Sequence, residues 1–94
     1  MMKYIWDEGK RKSNLTKHGL DFDLAREVIN SPDTIIVSDL RFDYGEDRKI
    51  AYADVEGIKM CVCYVVRDDA FRIISMRRVH DKDWRKLNGD KNIH

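Results

Sequence analysis

Three apolar segments rich in β-branched residues lie close together between residues 48 and 79, and short charged turns separate them. The segments are Arg48–Val55, Ile58–Val66 and Ala70–Val79. Glu56-Gly57 predicts a two-residue hairpin turn, because glycine accepts the positive φ that such turns need. Connections this short join antiparallel neighbours, since a parallel pair needs a crossover of a dozen residues or more. The second half of the chain therefore predicts an antiparallel sheet.

The first half supplies two more strands and two helices. Asp7 is a suitable N-cap and Gly19 a suitable stop for the first helix, and Asp21 is a suitable cap for the second. Proline cannot continue the helical hydrogen bonds, so Ser31-Pro32 ends the second helix. The predicted elements are a strand over Met2–Trp6, helices over Glu8–His18 and residues 21–30, a strand over Thr34–Ser38 and a polar loop over Asp39–Asp47.

A short helix over Lys82–Leu87 completes the order β-α-α-β-β-β-β-α. We expect an α+β domain: an antiparallel sheet of about five strands, with two N-terminal helices and a short C-terminal helix packed against it. The 94 residues fit a single domain over residues 1–88. Residues 89–94 are expected to form a frayed tail.

The net charge of +1 conceals an uneven distribution along the chain. Residues 1–20 carry +3, residues 21–66 carry −5 and residues 67–94 carry +3, with histidines neutral. Two basic ends around an acidic middle either fold into one basic face, which favours an anionic partner, or pair with acids inside the domain. Charge alone leaves both alternatives open.

The cysteine usage and hydropathy favour a cytoplasmic protein without a cofactor. Cys61 and Cys63 lie two residues apart on a predicted strand and face the same side, which suits neither a disulfide nor a zinc site. No apolar run approaches the roughly 18–20 residues of a membrane span. The sequence contains no zinc motif, P-loop, dinucleotide fingerprint or nucleophile elbow, so metal-free acid–base chemistry is the enzymatic option that its residues support.

The strand after Ala70 carries three arginines, at positions 72, 77 and 78. Strict alternation places Phe71, Ile73, Ser75 and Arg77 on one face and Arg72, Ile74, Met76 and Arg78 on the other. Buried unpaired arginines are costly, so at least one face should open to solvent. Arginine binds phosphate through a planar fork of donors; alternatively, Arg72 pairs with Asp54 or Glu56 across a hairpin.

Other polar groups are candidates for binding or proton transfer. Lys10, Asn14 and Lys17 or His18 share one stripe of the first helix, which either faces a ligand or is simply solvated. His18 is a proton donor or only a partner of the helix dipole. Glu46 beside Arg48 is a general base or a surface ion pair. Further candidates are His80 for proton transfer, and Tyr44, Tyr52 and Tyr64 for stacking or packing.

Five segments of this sequence together resemble the BrnT-type toxin family of type II toxin–antitoxin systems. The segments are WDEGKRKSNLTKHG (6–19), FDLAREV (22–28), YGEDR (44–48), IAY (50–52) and RIISMR (72–77). The resemblance implies a RelE-like fold and an RNA-cleaving activity. It also implies a BrnA-type antitoxin, a possible heterotetramer with it, and contact with operator DNA only through the antitoxin.

Cleavage of this kind uses the ribose 2′-hydroxyl as nucleophile, which requires a base, an acid and cations around the phosphate. On that resemblance, Arg72 and Arg77 are assigned to the phosphate and His18 or Glu46 to proton transfer. The RNA-contacting set is Lys10, Asn14, Lys17, Arg48 and Arg78. The alternatives are a non-catalytic subunit of a nucleic-acid-binding repressor and a protein-interaction subunit.

Overall fold

The computed structural model describes residues 2–89, with the side chains described as far as Leu87. Its strands are β1 (Lys3–Trp6), β2 (Ile35–Ser38), β3 (Lys49–Val55), β4 (Ile58–Arg67) and β5 (Ala70–Arg78). Its α-helices are α1 (Glu8–His18), α2 (Ala25–Asn30) and α3 (Asp81–Gly89), and a 3-10 turn over Phe22–Leu24 precedes α2. Apart from Gly89, the tail predicted over residues 89–94 lies outside the described residues.

The five strands form one mixed sheet in the order β1-β5-β4-β3-β2. Strands β2 to β5 pair antiparallel, as their short connections predict. The prediction of a wholly antiparallel sheet was wrong, because β1 pairs parallel with β5. In this pairing Lys3 lies opposite Ala70 and Trp6 lies opposite Ile73. Short turns dictate the direction only of consecutive strands, whereas most of the chain separates β1 from β5.

The element order also differs from the predicted pattern at the second helix. Asp21 caps a 3-10 turn, its carboxylate accepting from the Asp23 N–H at 3.4 Å, and α2 begins only at Ala25. The Asp21 carboxylate also holds the Arg11 guanidinium in a fork with both distances 2.8 Å. This bidentate pair ties α1 to the start of the turn.

The core lies between one face of the sheet and the helical segment over residues 22–30. Small side chains on β3, Ala51 and Ala53, let α2 approach the sheet closely. The 3-10 turn contributes Phe22, which is fully buried and meets Trp6 edge-to-face at 6.2 Å. The largest fully buried side chains of the core are Phe22, Val28, Met60, Val62, Ile73 and Met76.

A β-bulge in β5 changes which side chains share a face. Cys63 pairs with Ser75 and Tyr64 with Ile73, so Ile74 has no partner on β4. The extra residue reverses the alternation beyond it. The predicted faces were therefore wrong after Ile73: Arg72, Ser75 and Arg77 share the face away from the core, whereas Ile73, Met76 and Arg78 share the core side.

Helix α1 takes the place of a longer β1 along the edge of β5. Strand β1 ends opposite Ile73, and α1 continues beside the rest of β5. Asn14, 7% exposed, accepts from the Met76 N–H through Oδ1 at 3.0 Å and donates to the Leu20 carbonyl through Nδ2 at 3.2 Å. The amide thus satisfies a backbone donor that β1 leaves unpaired.

Candidate functional site

A groove of about 500 Å³ runs between α1 and the edge of β5, and we call it the α1–β5 groove. Lysines 10 and 17 and His18 line its helix side, and Ile74 and Ser75 line its strand side. Asn14 lies in its floor and is buried, and its amide oxygen and its amide nitrogen each make one hydrogen bond. The whole predicted stripe therefore lines the groove, and Asn14 within it also hydrogen-bonds the backbone of β5.

At the end of α1 the groove opens into a hollow of about 290 Å³, the basic hollow. Its lining residues are Lys17, His18, Arg77, Arg78 and His80. Helix α1 and strand β5 end at the same place, and this brings two histidines together with three cations. Within residues 2–87, no carboxylate lies within ion-pairing distance of these lysine, arginine and histidine side chains. Such an unneutralised cluster attracts anions.

Arg77 also borders a third space, on the sheet face away from the core. This sheet-face cleft, about 110 Å³, has Ile50, Cys61 and Cys63 as its floor and Arg41, Ser75 and Arg77 at its rim. Both thiols are free and buried, and burial raises the pKa of each. Arg77 thus connects the cleft to the basic hollow.

Arg41 is held rigidly by Asp39. The guanidinium donates from Nε and Nη2 to the two Asp39 oxygens, both at 2.8 Å, and the Asp39 side chain is 0% exposed. The hydroxyl of Tyr44 donates to the same carboxylate at 3.2 Å. The Arg41 guanidinium, opposing burial, holds the pKa of Asp39 far below its usual range. Sequence reasoning missed this pair because it treated residues 39–47 as a polar loop and predicted no contact between Asp39 and Arg41.

A second arginine group lies at the other end of the same sheet face. Arg72 pairs with Val65, and Arg48, just before β3, follows the same row. Arg48 donates to Glu46 at 3.0 Å and lies 3.8 Å from the Tyr44 ring centre, while Arg67 approaches Glu46 at 3.7 Å. Glu46 is therefore an ion-paired carboxylate.

The structure separates the predicted phosphate-binding arginines. Arg72 and Arg77 share a face, but five residues of strand place their Cα atoms roughly 13–16 Å apart. Arg77 lines the basic hollow with His18, whereas Arg72 lies opposite Val65, toward the end of the sheet face that holds Arg48. The alternative pairing of Arg72 with Asp54 was wrong, since Asp54 lies opposite Lys59 at the far hairpin.

The predicted tyrosines have different environments. Tyr64 is a core residue, 3% exposed, which leaves packing as its role. Tyr52 is half-buried, and burial raises its pKa. Tyr44 stacks beneath Arg48.

The sequence pattern of one protein family covers both arginine groups and α1. The family is described as "Ribonuclease toxin, BrnT, of type II toxin-antitoxin system", and its model matches residues 6–83. The chain belongs to the BrnT family. The BrnT match includes every candidate site residue from Lys10 to His80. No curated protein matches the chain.

Membership in the BrnT family makes this chain a toxin of a type II toxin–antitoxin system, whose partner is a protein antitoxin. No helix within residues 2–89 is long and apolar enough to cross a membrane. The same residues contain no cluster of three His, Cys, Asp or Glu side chains arranged to hold a metal ion.

Proposed function

We propose that the chain is an endoribonuclease whose reaction takes place at the basic hollow. The observation that carries this proposal is the meeting of His18 and His80 with Lys17, Arg77 and Arg78 around one open space. Histidine transfers protons near neutral pH, and the three cations supply charge for a phosphate. The family description supports the same activity.

The proposed reaction is metal-free transesterification. A base takes the proton of the ribose 2′-hydroxyl, the 2′-oxygen attacks phosphorus, and the P–O5′ bond breaks as an acid protonates the leaving oxygen. The products are a 2′,3′-cyclic phosphate and a 5′-hydroxyl. We assign His18 and His80 to the two proton transfers, and Arg77 with Lys17 to the charge that develops on the phosphate oxygens.

The remaining predicted residues fit contacts to the RNA strand on either side. Lys10 lies along the α1–β5 groove. Arg72 and Arg48, at the far end of the sheet face, suit a neighbouring phosphate rather than the scissile one. Glu46 remains a proton-transfer candidate only for a substrate bound at that far end, because it lies with Arg48 and Arg67.

We further propose a BrnA-like antitoxin that inhibits the toxin by covering the basic hollow. An acidic segment would complement its unpaired cations. A heterotetramer that reaches operator DNA only through the antitoxin, in the reducing cytoplasm, completes this proposal.

The test is RNA cleavage by the isolated full chain in a chelator-containing buffer. We expect 2′,3′-cyclic phosphate ends, and a loss of roughly 10²-fold or more in His18→Ala and Arg77→Ala. Lys12→Ala is the matched control, because Lys12 is an exposed α1 residue outside the groove lining. RNA binding without cleavage would instead support the non-catalytic repressor subunit.

A further inference from the structure

We infer that Arg41 is a phosphate-binding residue, oriented by Asp39, and that with Arg77 and Ser75 it forms a phosphate subsite in the sheet-face cleft. This inference rests on the proposed RNA substrate. The three side chains reach the same small space from different elements: Arg41 from the loop after β2, and Ser75 and Arg77 from β5.

The chemistry of Arg41 supports a ligand on its outer edge. A guanidinium has five N–H donors, and the fork to Asp39 uses the Nε–H and one Nη2–H. The Nη1–H donors and the second Nη2–H make no hydrogen bond to another side chain within residues 2–87. These outer donors form a second fork, which matches two oxygens of one phosphate.

The position of Asp39 explains why this fork is preorganised. Its carboxylate is inaccessible to solvent and receives hydrogen bonds from the Arg41 backbone N–H, the Arg41 side chain and Tyr44. Arg41 itself keeps 62% of its side chain exposed. A guanidinium fixed on its inner edge and open on its outer edge loses little conformational freedom when a ligand binds.

The surroundings of the cleft suit an anion of phosphate size. Its floor is apolar. Burial raises the pKa of the Cys61 thiol, and the positive charges of the two rim guanidiniums, Arg77 and Arg41, lower it by less. A volume of about 110 Å³ equals that of about three or four waters. That space suits a phosphate group and is too small to enclose a nucleobase together with its sugar. Because Arg77 also lines the basic hollow, the subsite would hold the phosphate next to the scissile one.

The experiment compares the full-length wild type, Arg41→Ala, Arg41→Lys and Asp39→Asn, with Arg26→Ala as matched control. Arg26 is an exposed arginine of α2 that lies over the Tyr4 ring and outside the cleft lining. Two quantities are measured: cleavage of RNA, and binding of a non-cleavable 2′-O-methyl oligoribonucleotide at several salt concentrations. Circular dichroism establishes that each variant is folded.

Arg41→Ala should weaken oligonucleotide binding about tenfold and lower the salt slope by about one. Arg41→Lys should restore the slope but not the affinity, because lysine lacks the fork. Asp39→Asn keeps the Arg41 charge and should leave the slope in place while raising KM. Arg26→Ala should match the wild type.

The proposed activity and this inference fail separately. A wild type that binds the oligonucleotide but cleaves no RNA refutes the ribonuclease proposal, while the subsite still stands or falls by the Arg41→Ala binding result. If folded Arg41→Ala binds with the affinity and salt slope of Arg26→Ala, the subsite is refuted, even when the wild type cleaves RNA. A folded Asp39→Asn with unchanged KM refutes the positioning role of Asp39.

Discussion

Asn14→Ala tests how α1 is attached to β5. The substitution removes both hydrogen bonds of a buried amide and leaves the Met76 N–H and the Leu20 carbonyl without their partner. Each lost bond with its desolvated group costs about 1–2 kcal/mol, and the better helix propensity of alanine returns about 0.5 kcal/mol. We therefore expect a net loss of roughly 2–3 kcal/mol in the free energy of unfolding, which lowers Tm by about 10–20 °C.

Urea and thermal unfolding followed by circular dichroism measure this loss. Ser13→Ala is the matched control, because Ser13 is the exposed neighbour on the same helix and should change stability by less than about 0.5 kcal/mol. Amide hydrogen exchange at Met76 should accelerate selectively. A folded Asn14→Ala with wild-type stability and Met76 protection would refute the role of α1 as a substitute for the missing strand.

Three further predictions concern the arginines, Asp39 and the thiols. Arg77→Ala should reduce RNA cleavage on the order of 10²-fold and abolish growth inhibition, whereas Arg72→Ala, far from the basic hollow, should cost less than about tenfold; equal losses would place both at one phosphate. The folded-state pKa of Asp39 is lowered, so the stability it contributes is present above its unfolded pKa of about 3.9 and is lost as pH falls further; Asp39→Asn should flatten that acid limb in pH-dependent unfolding. Cys61 and Cys63 are buried with raised pKa values, so a thiol reagent at pH 8 should modify them slowly in the native protein and rapidly in urea; fast native labelling would contradict this.

Sequence patterns predicted the local elements well because their signals are local. The α1 bounds Glu8–His18 are confirmed, since Asp7 accepts from the Lys10 N–H at 2.9 Å and Gly19 adopts φ 69°. The hairpin turn at Glu56-Gly57 is confirmed, because Val55 pairs with Ile58 and both turn residues adopt positive φ. The family resemblance is confirmed by the match over residues 6–83.

Long-range features were not visible in the sequence. The parallel pairing of β1 depends on which edge of the finished sheet is free, and no short turn records that choice. The bulged residue, Ile74, is an ordinary apolar residue in an apolar strand. Nothing in the sequence marks it, so the prediction continued strict alternation through this position. Asn14 resembled its solvated neighbours because its partner Met76 lies 62 residues away.

The candidate site was predicted in part. The residues of the basic hollow were all named in advance, but their grouping depends on α1 and β5 ending together. Arg41 was missed because an arginine two residues after an aspartate is common in loops. The structure shows that the pair is fixed, because the Asp39 carboxylate is buried and accepts two hydrogen bonds from the Arg41 guanidinium.

The bulge at Ile74 gives β5 two phases along one strand. Before the bulge the odd-numbered residues, such as Ile73, face the core, and after it the even-numbered residues, such as Met76, face the core. Deleting this single codon would join Ile73 directly to Ser75 and leave the other pairings with β4 in register, so Met76 would still face the core and Arg77 would still face outward. The bulge therefore absorbs one extra residue of β5, and an in-frame deletion at Ile74 would straighten the strand while its core face and its cationic face keep their residues.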